Sequence, residues 1–238
     1  ENEYWLSPGD GDVLLWAQGI ASQAGMDVQI YEGDICPLQL QGPKSPHVAA
    51  KLFGEDILDL GYFQVMETEL NGLRLAVSRT GWSGELGYEL FLQDGSRGEE
   101  LWDLCMQAGE EFGISPATPS AIRSLEGGIL SYRSDITCDD NPWTLGLERL
   151  VDVDKPEEYI GKKALQRLAT RGTARRLVGV EIEGEPLPGN DAFWAISRGE
   201  ECVGHLTRCA FSPRLERTIG LVNVIADCAG EGPSLTLS

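Results

Sequence analysis

Apolar and polar residues alternate with period two over residues 73–77 and again over residues 88–92, and Gly81, Gly84 and Gly87 interrupt the pattern between them. The alternation predicts two strands joined by a glycine-bordered connection. Residues 63–69 and 72–78 read as a hairpin closed at Asn71-Gly72, a tight-turn pair. Further short strands are expected over residues 28–32, 35–40 and 145–153. A helical period replaces the alternation over residues 13–24, where Val13, Leu14, Ala17, Ile20, Ala21 and Ala24 share a face read as core, after a turn at residues 7–11 and a cap at Asp12. Helices are also expected over residues 45–53, 98–112, 121–127 and 161–169. In the second of these, Leu101, Trp102, Leu104, Cys105 and Ala108 are read as core. Ser120 is read as the cap of the third, which a Gly127-Gly128 pair stops. Residues 170–174 read as a linker, and strands over 176–183, 192–196, 201–209 and 218–225 follow at regular spacing, the pattern of a small β-barrel or sandwich. The fold class is α+β: antiparallel sheets with packed helices, plus a C-terminal small β-barrel.

The glycine-bordered connection carries the first candidate chemistry. Glycine tolerates positive φ or close backbone approach, which a connection needs if it wraps something. Glu89 joins positions like Leu75 on one face only if the register crosses over, and otherwise lies opposite Tyr88, Leu90 and Leu92. One carboxylate can accept two parallel N–H bonds from a planar donor edge, so Glu89 is either a recognition group or a solvated outer position of the hairpin. Arg123 sits in the first turn of a short helix, where the dipole disfavours a cation, so a partner or ligand is expected there. Asp34 and Gln39 read as turn and strand-exterior residues, with polar work near a cavity as the alternative. His205 is read as structural. No G-x-S-x-G or other nucleophile constellation is present, and no catalytic residue can be named.

Charge narrows the partners. Nineteen Lys and Arg against thirty-eight Asp and Glu give a formal charge of −19, so nucleic acid and anionic membrane are not expected as partners. The six cysteines form no C-x-x-C pair and only two histidines are present, so no metal site is expected and most thiols are read as buried in a reducing compartment. No apolar run has the length of a membrane span and no leader opens the sequence, which makes the cytoplasm the expected location.

Four stretches together resemble the folate-dependent aminomethyltransferase family, the T protein of the glycine cleavage system and its relatives. Ser78-Arg79-Thr80-Gly81-Trp82-Ser83-Gly84-Glu85-Leu86-Gly87-Tyr88-Glu89 is similar to its R-x-G-[YW]-x-G-E-x-G-[YF]-E motif. Arg123-Ser124-Leu125-Glu126-Gly127-Gly128 resembles its R-x-L-E-x-G segment. The Asn141-Pro142 and Gly146-Leu147 pairs, and Glu158-Tyr159-Ile160-Gly161-Lys162-Lys163-Ala164-Leu165, resemble its later signatures. The family carries a segment like Gln41-Gly42-Pro43 as well, joining a strand to a helix. Their common order makes the set specific. The Trp82 motif and residues 130–136 look nearest to the dimethylsulfoniopropionate demethylase branch.

The resemblance implies a multi-domain fold around a central cavity that holds tetrahydrofolate. Glu89 would grip the pteridine, Trp82 and Phe91 would wall the cavity, and Arg123 would help to hold the cofactor. The implied reaction moves a methyl group from a small methylated substrate, a sulfonium, to tetrahydrofolate. Aminomethyl transfer, another folate-dependent demethylation, and a non-catalytic folate-binding protein are the alternatives. The implied division is residues 1–34 as the end of a domain whose start is missing, 35–128 as the central folate-binding domain, 129–172 as a return segment, and 173–238 as an incomplete C-terminal barrel. The N-terminal third of the family, with its catalytic carboxylate, is expected to be absent, and the chain alone to be inactive.

Overall fold

The computed structural model describes residues 3–8, 13–230 and 234–237, and the chain divides into two compact units, Glu1–Ser120 and Ala121–Ser238. The first unit contains helix α1 (Val13–Gln23), strand β1 (Cys36–Gln41), helix α2 (Ser45–Phe53), strands β2 (Val65–Leu70), β3 (Leu73–Ser78) and β4 (Gly87–Leu92), and helix α3 (Gly98–Gly109). The four strands form one antiparallel sheet in the order β1-β4-β3-β2. Asn71 and Gly72 both take positive φ, 51° and 77°, as a twisted two-residue hairpin turn requires.

Strand alternation sorts the sheet into two faces. Leu38, Leu40, Leu73, Leu75, Val77, Tyr88, Leu90 and Leu92 pack with Val48 and Ala49 of α2 and with Leu101, Cys105 and Ala108 of α3. Full burial of side chains of this size contributes roughly 1.5–3 kcal/mol each. The opposite face carries Gln39, Glu89 and Ser78 side by side in register.

Three expectations for this unit are corrected. Residues 28–32 form no strand, because the sheet ends at β1 and β2 and neither edge pairs with them. Helix α1 forms, but of its apolar face only Ala21 is buried and Ile20 is 37% exposed, since α2 and α3 already fill the apolar face of the sheet. Trp102 is 40% exposed rather than core. The buried stripe of α3 runs through Leu101, Cys105 and Ala108, and a residue one position on is turned away by about 100°. The turn glycines and the Asp12 cap lie outside the described residues.

The second unit contains helices α4 (Ala121–Glu126) and α5 (Lys162–Arg171) and strands β5 (Arg175–Ile182), β6 (Trp194–Arg198), β7 (Glu201–Ser212), β8 (Arg217–Ile225) and β9 (Thr236–Leu237). The strands form one antiparallel sheet in the order β5-β8-β7-β6-β9, open among the described residues. One face packs Ile196, Val203, Leu206, Val222 and Val224. The other packs Leu177, Ala210 and Leu221 with Leu125 of α4. Residues 145–153 were expected as a strand and instead form turns and a short 3-10 helix at Glu148–Leu150. Gly146 at φ 70° and the Asn141 side chain, which accepts from the N–H groups of Trp143 and Thr144, bend the backbone out of extended geometry. Helix α5 runs on through Arg171, so the expected linker begins only at Gly172.

A β-bulge at Thr207, between the paired residues Leu206 and Arg208, turns polar side chains of β7 toward Asp135. The Asp135 carboxylate is fully buried and accepts from Ser131 N–H (2.9 Å), Thr207 Oγ1 (3.2 Å) and Arg208 Nη2 (2.7 Å). Arg208 also donates to Ser124 Oγ and the Ile129 carbonyl, which fastens the segment after α4 onto the sheet. No helix among the described residues is long and apolar enough to cross a membrane.

Candidate functional site

Glu89 lies on the sheet face that α2 and α3 leave uncovered, half-buried, between Gln39 of β1 and Ser78 of β3. Its Oε2 accepts from Thr80 Oγ1 at 2.5 Å and its Oε1 from Gln39 Nε2 at 3.3 Å. Ser78 Oγ lies 2.7 Å from Thr80 Oγ1 and extends the chain of hydroxyls. A carboxylate has about four lone-pair sites, so two acceptor positions remain for an incoming donor edge. Phe91 is two residues along the same face, half-buried, with the Trp5 ring edge-on to it at 6.3 Å. Trp82 is half-buried in the connection between β3 and β4.

That connection is built around a side chain. Gln41, the last residue of β1, donates from Nε2 to the carbonyls of Thr80 (3.3 Å) and Tyr88 (3.2 Å), and its Oε1 accepts from Ser83 Oγ (2.6 Å). Of the three glycines, only Gly84 takes positive φ, at 68°. Gly81 and Gly87 serve close approach instead, because a Cβ on either would fall within 2.1–2.7 Å of the Gln41 amide. Arg79 donates to the Gly87 carbonyl and stacks over Tyr88 with its guanidinium carbon 5.4 Å from the ring centre. Burial pushes the Tyr88 hydroxyl pKa up, and the arginine opposes that shift.

The structure thus brings Glu89 and Phe91 onto one face, with Trp82 in the adjoining connection. Arg123 belongs to the second unit, in α4, where Nη1 pairs with Glu126 at 3.2 Å. Glu126 is nearly buried and also accepts from Ser212 Oγ at 2.6 Å. Gln41, Thr80 and Ser78 were missed as site residues. The available signal was the pair of glycines that begins and ends the seven-residue stretch 81–87. Asp34 is exposed, and Gln39 is exposed with its amide on Glu89.

The second unit holds a cleft of about 490 Å³ lined by Asp140, Thr144, Arg175, Phe193, His205 and Asn223 among others. His205 stacks on Phe193 at 4.9 Å. Burial, then Arg175, lowers its pKa, and Asp140 acts the other way. Among the described residues no group of His, Cys, Asp and Glu is placed to hold a metal ion. All six cysteines are free thiols.

A helix-backed antiparallel sheet with an acid on the face away from its helices, followed by a strand-rich module, defines an α+β protein. Residues 1–155 match the GCVT N-terminal domain and residues 175–237 match the glycine cleavage T-protein C-terminal barrel domain. The chain belongs to the glycine cleavage T-protein family. It is 36% identical over 224 residues to the dimethylsulfoniopropionate demethylase DmdA of Ruegeria pomeroyi, covering 93% of this chain and 61% of that protein. It is 34% identical over 202 residues to an aminomethyltransferase of Halothermothrix orenii, covering 84% and 56%. The glycine cleavage system aminomethyltransferase T of Bartonella henselae has the same fold, with a TM-score of 0.75 at 19% identity over 94% of this chain and 61% of that one. The chain therefore spans about three fifths of the length of the relatives it matches.

Proposed function

We propose that this chain is part of a tetrahydrofolate-dependent transferase that takes a methyl group from a small sulfonium substrate such as dimethylsulfoniopropionate. The observation that carries the reading is the Glu89 carboxylate, held by Thr80 and Gln39 on the sheet face opposite α2 and α3 with acceptor capacity to spare. This donor-seeking group fits the amino-pyrimidine edge of a pteridine, and Phe91 on the same face offers it an apolar wall. Trp82 completes that wall, or meets the sulfonium by cation–π attraction worth about 0.5–2 kcal/mol. Arg123 is proposed as a further cofactor-binding residue. Tetrahydrofolate, when bound, supplies a nucleophilic ring nitrogen as methyl acceptor.

The positive sulfur already activates its methyl group, so the protein's work is alignment and exclusion of water. Alignment can supply roughly 7–11 kcal/mol in the best cases. The 36% identity to a protein named dimethylsulfoniopropionate demethylase supports the sulfonium over other donors. Aminomethyl transfer is the second reading, supported by the similarity to the Halothermothrix orenii aminomethyltransferase.

Calorimetric titration with 5-formyltetrahydrofolate tests the site. Glu89→Gln is expected to weaken binding by about 1–3 kcal/mol, roughly 5- to 150-fold in Kd. Unchanged affinity removes Glu89 from the site. Transfer of labelled methyl from dimethylsulfoniopropionate to tetrahydrofolate tests the reaction, and tight folate binding without transfer from any donor identifies a binding protein instead.

A further inference from the structure

We propose that Gln41 is a positioning residue, whose side-chain amide holds residues 80–88 in the shape that presents the Glu89 carboxylate to its ligand. The inference rests on the folate reading of Glu89 and names the device that makes the site. The ladder between β3 and β4 ends at the Ser78–Glu89 pair. Beyond it the strands diverge, and Gln41 Nε2 donates to the Thr80 and Tyr88 carbonyls. Through Oε1 the same amide accepts from Ser83 in the middle of the connection. One side chain therefore ties together the entry, the middle and the exit of the loop.

Thr80 transmits this to the acid. Its carbonyl is held by Gln41 while its hydroxyl donates to Glu89 Oε2, so displacement of the amide moves the carboxylate's partner. The register of the sheet makes the device possible. Gln41 pairs with Gly87 across β1 and β4, and the space a Cβ would fill at Gly87 and Gly81 is taken by the amide. The next residues reinforce the anchor, because Gly42 N–H and Ser45 Oγ both donate to the Leu86 carbonyl, at 2.7 and 3.1 Å. Leucine at position 41 would have similar bulk and none of these bonds.

Hydrogen-exchange mass spectrometry over residues 79–88 and titration with 5-formyltetrahydrofolate, on the whole protein, test the proposal. Gln41→Leu is expected to speed exchange in this segment by about tenfold or more, leave the core amides of β3 and β4 protected, and weaken folate binding by about tenfold. Thr80→Val should weaken binding without loosening β3, and Thr80→Ser should restore it. Native exchange at 79–88 in Gln41→Leu overturns the proposal, as does a loosened loop with wild-type affinity. If Gln41→Leu does not fold, the Thr80 pair decides: equal affinity of the Val and Ser variants overturns it. Failure of the folate reading looks different. Wild type then binds no folate or Glu89→Gln binds like wild type, while exchange in Gln41→Leu still reports whether the amide orders the loop.

Discussion

Asp135→Ala is expected to unlatch the segment after α4 from β7. The carboxylate is fully buried and its three hydrogen bonds come from Ser131, Thr207 and Arg208. Arg208 is itself only 14% exposed, and its Nε is already buried without a partner. Removing Asp135 leaves a buried guanidinium with only the neutral Ser124 Oγ and Ile129 carbonyl. Stripping a buried charge of its counter-charge costs about 3–5 kcal/mol. An exposed pair such as Arg198 with Glu201 is worth about 0–1 kcal/mol, so the two kinds of ion pair separate cleanly in experiment. The assay is hydrogen exchange of the β7 and β8 amides as a function of urea, which reads the opening free energy of this sheet whatever the first unit does.

Two controls isolate the charge. Asp135→Asn keeps the shape and can still accept from Ser131 and Arg208, so its cost should fall to about 1–3 kcal/mol. The double variant Asp135→Leu with Arg208→Met should cost less than the sum of the two single changes, since apolar replacement removes both desolvation penalties. A cost below about 1 kcal/mol for Asp135→Ala, or strict additivity in the double variant, would refute the clasp.

His205 predicts an acid-side loss of stability. Its folded pKa lies below the ordinary 6.5 because burial and Arg175 disfavour the imidazolium, so the unfolded chain binds the proton more readily. The contribution is intact above about pH 6.5 and is lost as pH falls toward the folded pKa; His205→Gln should flatten the stability slope there, and an unchanged slope removes His205 as its source. Thiol labelling at pH 8 in the folded protein should modify the exposed Cys138 and Cys202 first. Cys105 should stay unmodified, because burial holds its pKa up at about 11; early labelling of Cys105 in peptide maps would contradict the packing of α3.

Much of the first sheet was legible because each strand carries its own evidence. β3 and β4 alternate cleanly, Asn71-Gly72 marks the reversal, and α2 begins at a Pro-containing turn. The misreadings share a cause in tertiary context. Residues 28–32 alternate as well as β1 does, yet alternation cannot say whether a sheet edge is free to pair. Trp102 was placed by hydrophobicity, whereas the phase of Leu101, Cys105 and Ala108 decides which side of α3 faces in. Residues 145–153 are apolar enough for a strand, but Gly146 and the Asn141 side chain shape the backbone before pairing can.

The candidate site was half legible, and the missing half is a matter of sequence distance. Glu89 stands out between its glycines, but the group that shapes the loop lies 39 residues before Thr80 and 47 before Tyr88. Glycine at 81 and 87 allowed two readings, a left-handed backbone or something pressed against the Cα. The backbone excludes the first, since neither takes positive φ. Something must then occupy the space, and the strand register names it: the residue opposite Gly87 is Gln41, at the end of β1, with enough length to reach past the ladder into the loop. A short side chain at position 41 would leave a void between two glycines and take one donor from each of the Thr80 and Tyr88 carbonyls. Hence the glycines and the glutamine form one feature, and a change at Gly81 or Gly87 to alanine should disturb Glu89 by the same route as a change at Gln41, by driving the amide out of the loop.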